Sequence, residues 1–284
     1  MTLPNFLKNI FSSPPKTVYL DPEKSNNLNT DANATHIVKT LQKKGFQSYL
    51  VGGCIRDALI DIIPKDFDIA TEAKPEEVKS AIRSARIIGK RFKLVHVYMG
   101  RQIYEVATFR SSKVNKELNP KIHSTSTSGR ILRDNVYGNQ TEDAARRDFT
   151  VNAMYYDPSS NCIIDYYQGL KDIKNKKIRF IGDPKTRITE DPVRMLRAIR
   201  IANKLNFKID NNLKNLLKPM SNLLADIPAA RLLEEYQKIF LSGKGCQNFK
   251  DLREYGLMQH FFPLVEKHLK KSPDLINYFY KACN

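Results

Sequence analysis

The stretch "FQSYLVGGCIRDALIDIIPKDFDIA", residues 46 to 70, limits the fold more than any other part of the chain. Its opening, "FQSYLVGG", is an apolar run too short for a helix and reads as a strand ending in a glycine pair. "CIRDALID" then has a short helical pattern, and Ile62, Ile63 and Pro64 lead into a second strand, "DFDIA". Two strands separated by so short a helix belong to a sheet with helices packed on it. The flanks agree. "HIVKTLQKKGF" reads as a helix starting near Thr35 and stopping at Gly45, "KPEEVKSAIRSA" as another, and "RFKLVHVYMG" and "QIYEVATFR" as strands joined by a turn around Gly100. From about residue 186 the pattern is helical, through "TEDPVRMLRAIRIANKL", "NNLKNLLKPMSNLLADI", "PAARLLEEYQKIFLSG" and "CQNFKDLREYG". The expected fold class is therefore α+β. An irregular leader covers residues 1–33, a mixed-sheet head 34–183 and an all-helical domain 184–284, with the polar segment 111–130 read as a mobile surface loop.

Composition narrows the function. A chain of 284 residues with 41% hydrophobic and 27% charged residues can bury a real core. Its 47 Lys and Arg against 30 Asp and Glu leave a formal charge of +17, which favours polyanionic partners: nucleic acid, nucleotides or an acidic membrane surface. Cys54, Cys162, Cys246 and Cys283 are far apart, form no CxxC and have no histidines at zinc-ligand spacing, so no zinc is expected. They read as reduced, mostly buried thiols of a cytoplasmic protein. No apolar run approaches the roughly 20 residues of a membrane helix. The start "MTLPNFLKNIFSSPPK" lacks a secretory apolar segment and reads as a frayed terminus with only a weak likeness to an organellar leader.

Chemistry concentrates in four stretches. In "PKDFDIAT", strand alternation puts Asp66 and Asp68 on one face and Phe67 and Ile69 on the other. Carboxylates two strand positions apart, about 6.5 to 7 Å, repel by about 2 kcal/mol at an effective dielectric of 20. A divalent cation between them more than cancels this, and Mg²⁺ suits one or two carboxylates completed by substrate phosphates. Upstream, "LVGGCIRD" offers Gly52 and Gly53 for close approach of a phosphate to the backbone and Arg56 as a charged donor one turn on. "EDAARRDFTVNAM" adds Arg146, Arg147 and Asp148, and Glu105 is an acid set among Tyr104, Val106, Ala107 and Phe109. In "EDPVRMLRAIR", Asp191 before Pro192 reads as a helix N-cap, with Arg194, Arg197 and Arg200 at steps of three. An Asp acceptor beside an Arg donor matches a base edge that pairs an amino group with a ring nitrogen. Adenine and cytosine present that edge, so ATP or CTP is expected over GTP or UTP. Each stretch also has a plainer reading, respectively an edge strand, a tight turn, a capped turn with solvated arginines, and a capped helix.

Together, "YLVGGCIRDALI", "PKDFDIAT", "EDAARRDFTVNAMYY" and "EDPVRMLRAIR" resemble the class II nucleotidyltransferases, which comprise bacterial poly(A) polymerases and tRNA CCA-adding enzymes. The likeness runs in order over residues of about 35 to 265, and "GRILRDNVYGNQTEDAARRDFT" is more similar to the poly(A) polymerase I group. The resemblance implies that Asp66 and Asp68 hold a catalytic Mg²⁺ and that Asp148 completes the acidic set. Glu105 matches a family acid as well, leaving open which of the two lies nearer the metal. Gly52, Gly53, Arg56 and Arg147 would hold the triphosphate of ATP. Asp191, Arg194 and Arg197 would read the base and contact the nucleotide. The implied activity is template-independent addition of AMP to RNA 3′ ends, of mRNA or other transcripts and possibly tRNA, with pyrophosphate released. The alternatives are tRNA CCA addition and an RNA-binding relative without turnover. Family polymerases usually run further into helical segments and a basic tail, so the stop at Asn284 puts RNA grip in question.

Overall fold

The computed structural model describes residues 14–20, 28, 30–89, 93–111, 123–125, 131–134 and 136–282. They form two compact units, Met1–Ile173 and Lys174–Asn284.

The first unit is built on an eight-stranded sheet. In chain order its elements begin with β1 (Lys16–Tyr19), α1 (Ala32–Lys43), β2 (Ser48–Val51), α2 (Gly53–Ala58), β3 (Asp68–Thr71), α3 (Pro75–Ala81), β4 (Ala85–Ile88), β5 (Leu94–Met99) and β6 (Gln102–Thr108). A separate antiparallel pair, β7 (His123–Thr125) and β8 (Ile131–Asp134), is followed by α4 (Gln140–Arg146), β9 (Met154–Asp157), β10 (Cys162–Asp165) and α5 (Gly169–Lys174). The strand order is β1-β10-β9-β2-β3-β6-β5-β4, and β3 with β6 is a parallel pair.

Alternation assigns the two faces. Leu50, Ile69, Val95, Val97, Tyr104 and Val106 point into the main core, where α1 contributes Ala34, Ile37, Val38 and Leu41 at helical spacing and Phe67 packs at the margin. Each large aliphatic side chain sealed there contributes about 1.5 to 3 kcal/mol. The opposite face carries Val51, Ala70, Phe109, Ala144 and Tyr155, with Tyr49 and Tyr166 beside them. Since Asp68 is two positions before Ala70, it belongs to this second face.

Three expectations for the head change. The leader is not wholly irregular: Lys16–Tyr19 pairs antiparallel with Cys162–Asp165, because β10 has an open edge and Thr17 and Val18 suit a strand. Residues 1–13, 21–27 and 29 of that leader lie outside the described residues. The first helix starts at Ala32, as Asp31 accepts from the Ala34 N–H at 2.9 Å and so caps it. Of the expected loop 111–130, residues 112–122 and 126–130 lie outside the described residues, while 123–125 form a strand.

In the second unit, β11 (Lys177–Ile178) pairs parallel with β12 (Lys208–Ile209), which carries the segment after residue 173 into that unit and moves the boundary ahead of residue 184. Apart from this two-residue ladder the unit is helical, as expected. Its helices run α6 (Pro184–Glu190), α7 (Val193–Leu205), α8 (Asn211–Leu217), α9 (Ala229–Phe240), α10 (Gly245–Glu254), α11 (Pro263–Lys271) and α12 (Pro273–Ala282). The α7 helix buries Val193, Leu196 and Ile199, as its spacing predicts. "NNLKNLLKPMSNLLADI" splits near Pro219 into α8 and a 3₁₀ segment, Ser221–Asp226, since proline cannot continue the α-helical ladder. Among the described residues no helix is long and apolar enough to cross a membrane.

Candidate active site

The site begins where β2 ends. Gly52 caps α2 with φ 87° and ψ −138°, backbone that side-chain-bearing residues rarely adopt. A Cβ added at Gly52 would meet Asp68 Oδ2 at 3.5 Å and Arg147 Nη1 at 3.7 Å. Two charges of opposite sign thus converge on one glycine.

Asp68 reaches this point because it opens β3, paired with Val51 of β2 on one side and with Glu105 of β6 on the other. Glu105 is therefore the neighbouring acid in the sheet. The expectation that Asp66 shares the strand is corrected: Asp66 lies two residues before β3 begins. Surrounding protein raises the Asp68 pKa, Arg147 pulls it down, and the charges of Glu105 and Asp66 push it up again.

Arg147 is fixed by a buried network. Its Nε and Nη2 donate to Asp143 Oδ2 at 3.2 and 3.0 Å, and Nε also donates to Tyr155 Oη at 3.2 Å. Tyr155 Oη in turn donates to Asp143 Oδ2 at 2.8 Å, and Arg146 Nη2 to Oδ1 at 2.7 Å. Burial alone would raise the Asp143 pKa, but Arg147 and Arg146 hold it down at about 2. Burial pushes the Tyr155 hydroxyl far up, so it stays a proton donor. The guanidinium also lies 5.4 Å from the Tyr155 ring centroid.

Arg56 departs from its expected role. It is turned inward and buried, with Nε and Nη2 on Asp57 Oδ1 at 2.8 and 2.6 Å and Nη1 on Asn152 Oδ1 at 2.5 Å. It also lines the turn, since its Nη2 is 3.3 Å from where a Gly53 Cβ would stand. Asn152 continues the chain of contacts to Asp148, whose Oδ1 accepts from Asn152 Nδ2 at 3.1 Å and from the Phe149 N–H at 2.8 Å. Asp148 thus steadies the 3₁₀ turn Thr150–Asn152, close to its plainer reading.

Carboxylate oxygens are the right donors for a hard cation. Among the described residues no set of three or more His, Cys, Asp or Glu side chains is arranged as a metal cage. Asp68, with the charges of Asp66 and Glu105 acting on it, fits instead a Mg²⁺ that takes one or two carboxylates and draws its other ligands from water and phosphate.

In the second unit, α7 begins at Val193 rather than directly after Asp191, with Pro192 as its cap residue. Asp191 still accepts from the Val193 N–H at 3.2 Å, so its capping role is partly kept. Asp191 and Arg194 are not held against each other: Asp191 Oδ2 takes Arg231 Nη2 at 2.7 Å, while Arg194 Nη1 donates to Glu190 Oε2 and the Arg187 carbonyl at 2.8 and 2.9 Å. Arg197 follows one turn along α7.

Comparison with known proteins gives the family. Residues 48–179 match the family model described as the poly A polymerase head domain, and residues 206–269 the one described as a probable RNA and SrmB-binding site of polymerase A. The chain belongs to the family of bacterial poly(A) polymerases and CCA-adding nucleotidyltransferases. Poly(A) polymerase I of Haemophilus influenzae is 46% identical over 243 residues, 85% of this chain and 54% of that protein. A CCA-adding enzyme of Lactobacillus helveticus is 36% identical over 217 residues, 76% of this chain and 52% of its own. The crystal structure of the Bacillus stearothermophilus CCA-adding enzyme in complex with CTP superposes with a TM-score of 0.66 at 31% identity, covering 79% of this chain and 52% of that one. The chain spans about half the length of the curated relatives it matches.

Sequence reasoning passed over Asp143, Tyr155 and Asn152. The i,i+4 spacing of Asp143 and Arg147 was a legible signal. Tyr155 had none, since it reaches the pair through the sheet.

Proposed function

We propose that this chain adds AMP from ATP to RNA 3′ ends without a template. The RNA 3′-oxygen bonds to the α-phosphorus, the bond from it to the β-phosphate oxygen breaks, pyrophosphate leaves with the electron pair, and the hydroxyl proton passes to solvent. The observation that carries this reading is the convergence of Asp68 Oδ2 and Arg147 Nη1 on the Gly52 turn, within 3.5 and 3.7 Å of one point. It sets an acid for a cation and a guanidinium for phosphate beside backbone that carries no side chain.

Asp66 and Asp68, with Glu105 adjacent, would hold Mg²⁺, which when bound polarises phosphate oxygens and favours loss of the 3′-hydroxyl proton. Arg147, braced by Asp143 and Tyr155, neutralises the triphosphate. Gly52 and Gly53 keep side chains out of its path. Arg56 acts through the turn it supports, and Asp148 through the 3₁₀ turn. In the second unit, Asp191 accepts from the exocyclic amino group of the base, Arg194 donates to its ring nitrogen, and Arg197 contacts the nucleotide. Without a template, base choice rests on such side chains.

CCA addition to tRNA is the second reading, favoured by the likeness to CCA-adding enzymes in both sequence and structure. One assay separates them: protein and Mg²⁺ with a generic RNA or a tRNA lacking its CCA end, given ATP, CTP or both. Long A-only tails on generic RNA support polyadenylation, and bounded addition confined to the tRNA supports the second reading. Binding without incorporation refutes both. Asp68→Ala should abolish incorporation without unfolding the protein, because its side chain is exposed at a strand end; surviving activity would overturn the assignment.

A further inference from the structure

The face of the sheet that carries Asp68 is covered over only part of its width. On β2, β3 and β9 it lies beneath Phe109, Ala144 and Tyr155. Among the described residues it is less covered on β6, β5 and β4, where Ile103 is 53% and Ile88 38% exposed. One cross-strand row runs from the covered half into the less covered half: Asp68 is in register with Glu105, Glu105 with His96, and His96 with Arg86. By alternation Tyr98 stands on the same face, opposite Ile103. Arg86 lies 5.3 Å from the Tyr98 ring centroid, and the His96 ring is edge-on to Tyr98 at 6.5 Å. His96 Nε2 is 3.8 Å from Glu105 Oε1.

We propose that this less covered face seats the RNA acceptor strand, with Tyr98 stacking against one of its last bases and Arg86 meeting a phosphate. The inference rests on the nucleotidyl-transfer reading and adds to it the place of the second substrate. An exposed sheet bearing an aromatic ring and a guanidinium suits single-stranded RNA, whose unpaired bases are free to stack. The row also has a polarity. Cationic Arg86 lies three strand spacings, about 14 Å, from the acidic end at Asp68. Arg86 draws the backbone phosphates, and the end of the strand that lies toward Asp68, where the cation of the proposed transfer site would stand, is the one with a reactive hydroxyl. That is the 3′ end, the end that reacts.

The test is fluorescence anisotropy with a 5′-labelled oligoadenylate and no ATP, so that binding is read without turnover. Tyr98→Ala should weaken binding about tenfold, in line with one lost stack, while Tyr98→Phe stays near wild type. Arg86→Ala should weaken it less at high salt than at low salt. Ile103→Glu, a charge added at an exposed position, should weaken it as well and guards against a Tyr98 variant that fails to fold. At saturating RNA, KM for ATP should not change in any of them. Wild-type affinity in Tyr98→Ala and Ile103→Glu, or equal losses in Tyr98→Ala and Tyr98→Phe, would overturn the proposal. Tyr98-dependent binding by a wild-type protein that never incorporates AMP would instead sink the transfer reading and leave the RNA seat standing.

Discussion

Replacing Asp143 with asparagine removes the charge that holds Arg147 while keeping the size of the side chain. The Asp143 carboxyl, buried between two guanidiniums, titrates near 2, against an ordinary value of 3.8. That difference corresponds to about 2 kcal/mol of stability at neutral pH. Asparagine keeps one acceptor oxygen, and Arg146 and Arg147 are 27% and 19% exposed, so their charge is partly hydrated. The expected loss at pH 7 is therefore about 2 to 3 kcal/mol, below the range for a fully sealed pair. The chain has no Trp, so urea unfolding is followed by circular dichroism, using the transition of the first unit.

The pH dependence is the sharper signature. A carboxyl whose folded pKa is depressed gives its full stabilisation above the unfolded pKa, and loses it as pH falls through the folded one. The gap between wild type and Asp143→Asn should be complete at pH 6 to 7, fall to about half near pH 3 and close toward pH 2. Under the proposed function the same variant raises KM for ATP more than it lowers kcat, because Arg147 loses its brace. A gap under about 0.5 kcal/mol at pH 7, or one that stays constant down to pH 3, would refute the ion-pair account.

Arg56→Ala should cost about 3 kcal/mol of stability, because it removes the guanidinium paired with buried Asp57 and the donor to Asn152 Oδ1. A loss of ATP affinity with unchanged urea midpoint would restore Arg56 as a direct phosphate donor. Cys54 should resist alkylation in the native protein at pH 8 while Cys246 reacts, as read by peptide mass spectrometry. Burial and the nearby Asp68 charge push the Cys54 thiol up to about 12, whereas Cys246 is half-exposed. Equal labelling of the two would contradict the packing around α2.

Much of the head was legible because its signals are local. The strand–glycine–helix turn at Gly52, the β5–β6 turn at Gly100 and the helices before and after them follow from spacing and turn chemistry within a few residues. The misplaced features depend on distant partners. Lys16–Tyr19 becomes a strand only because β10 offers an edge, and residues 177 and 178 join the second unit only because β12 lies in register with them. The helix at Val193 shows the resolution limit of local rules, with Asp191 giving a capping bond from one position too early.

The same division explains the site. Residue types announced an acid pair and a set of arginines, but which arginine faces the turn is a tertiary fact. Arg56 and Arg147 look equivalent on paper, each near a glycine or an acid. Asp57 lies next to Arg56 and draws it inward to Asn152, whereas Asp143, a helical turn before Arg147, holds its Nε and Nη2 and leaves Nη1 directed at Gly52. One carboxylate thereby retires an arginine into the scaffold and another aims its counterpart at the site.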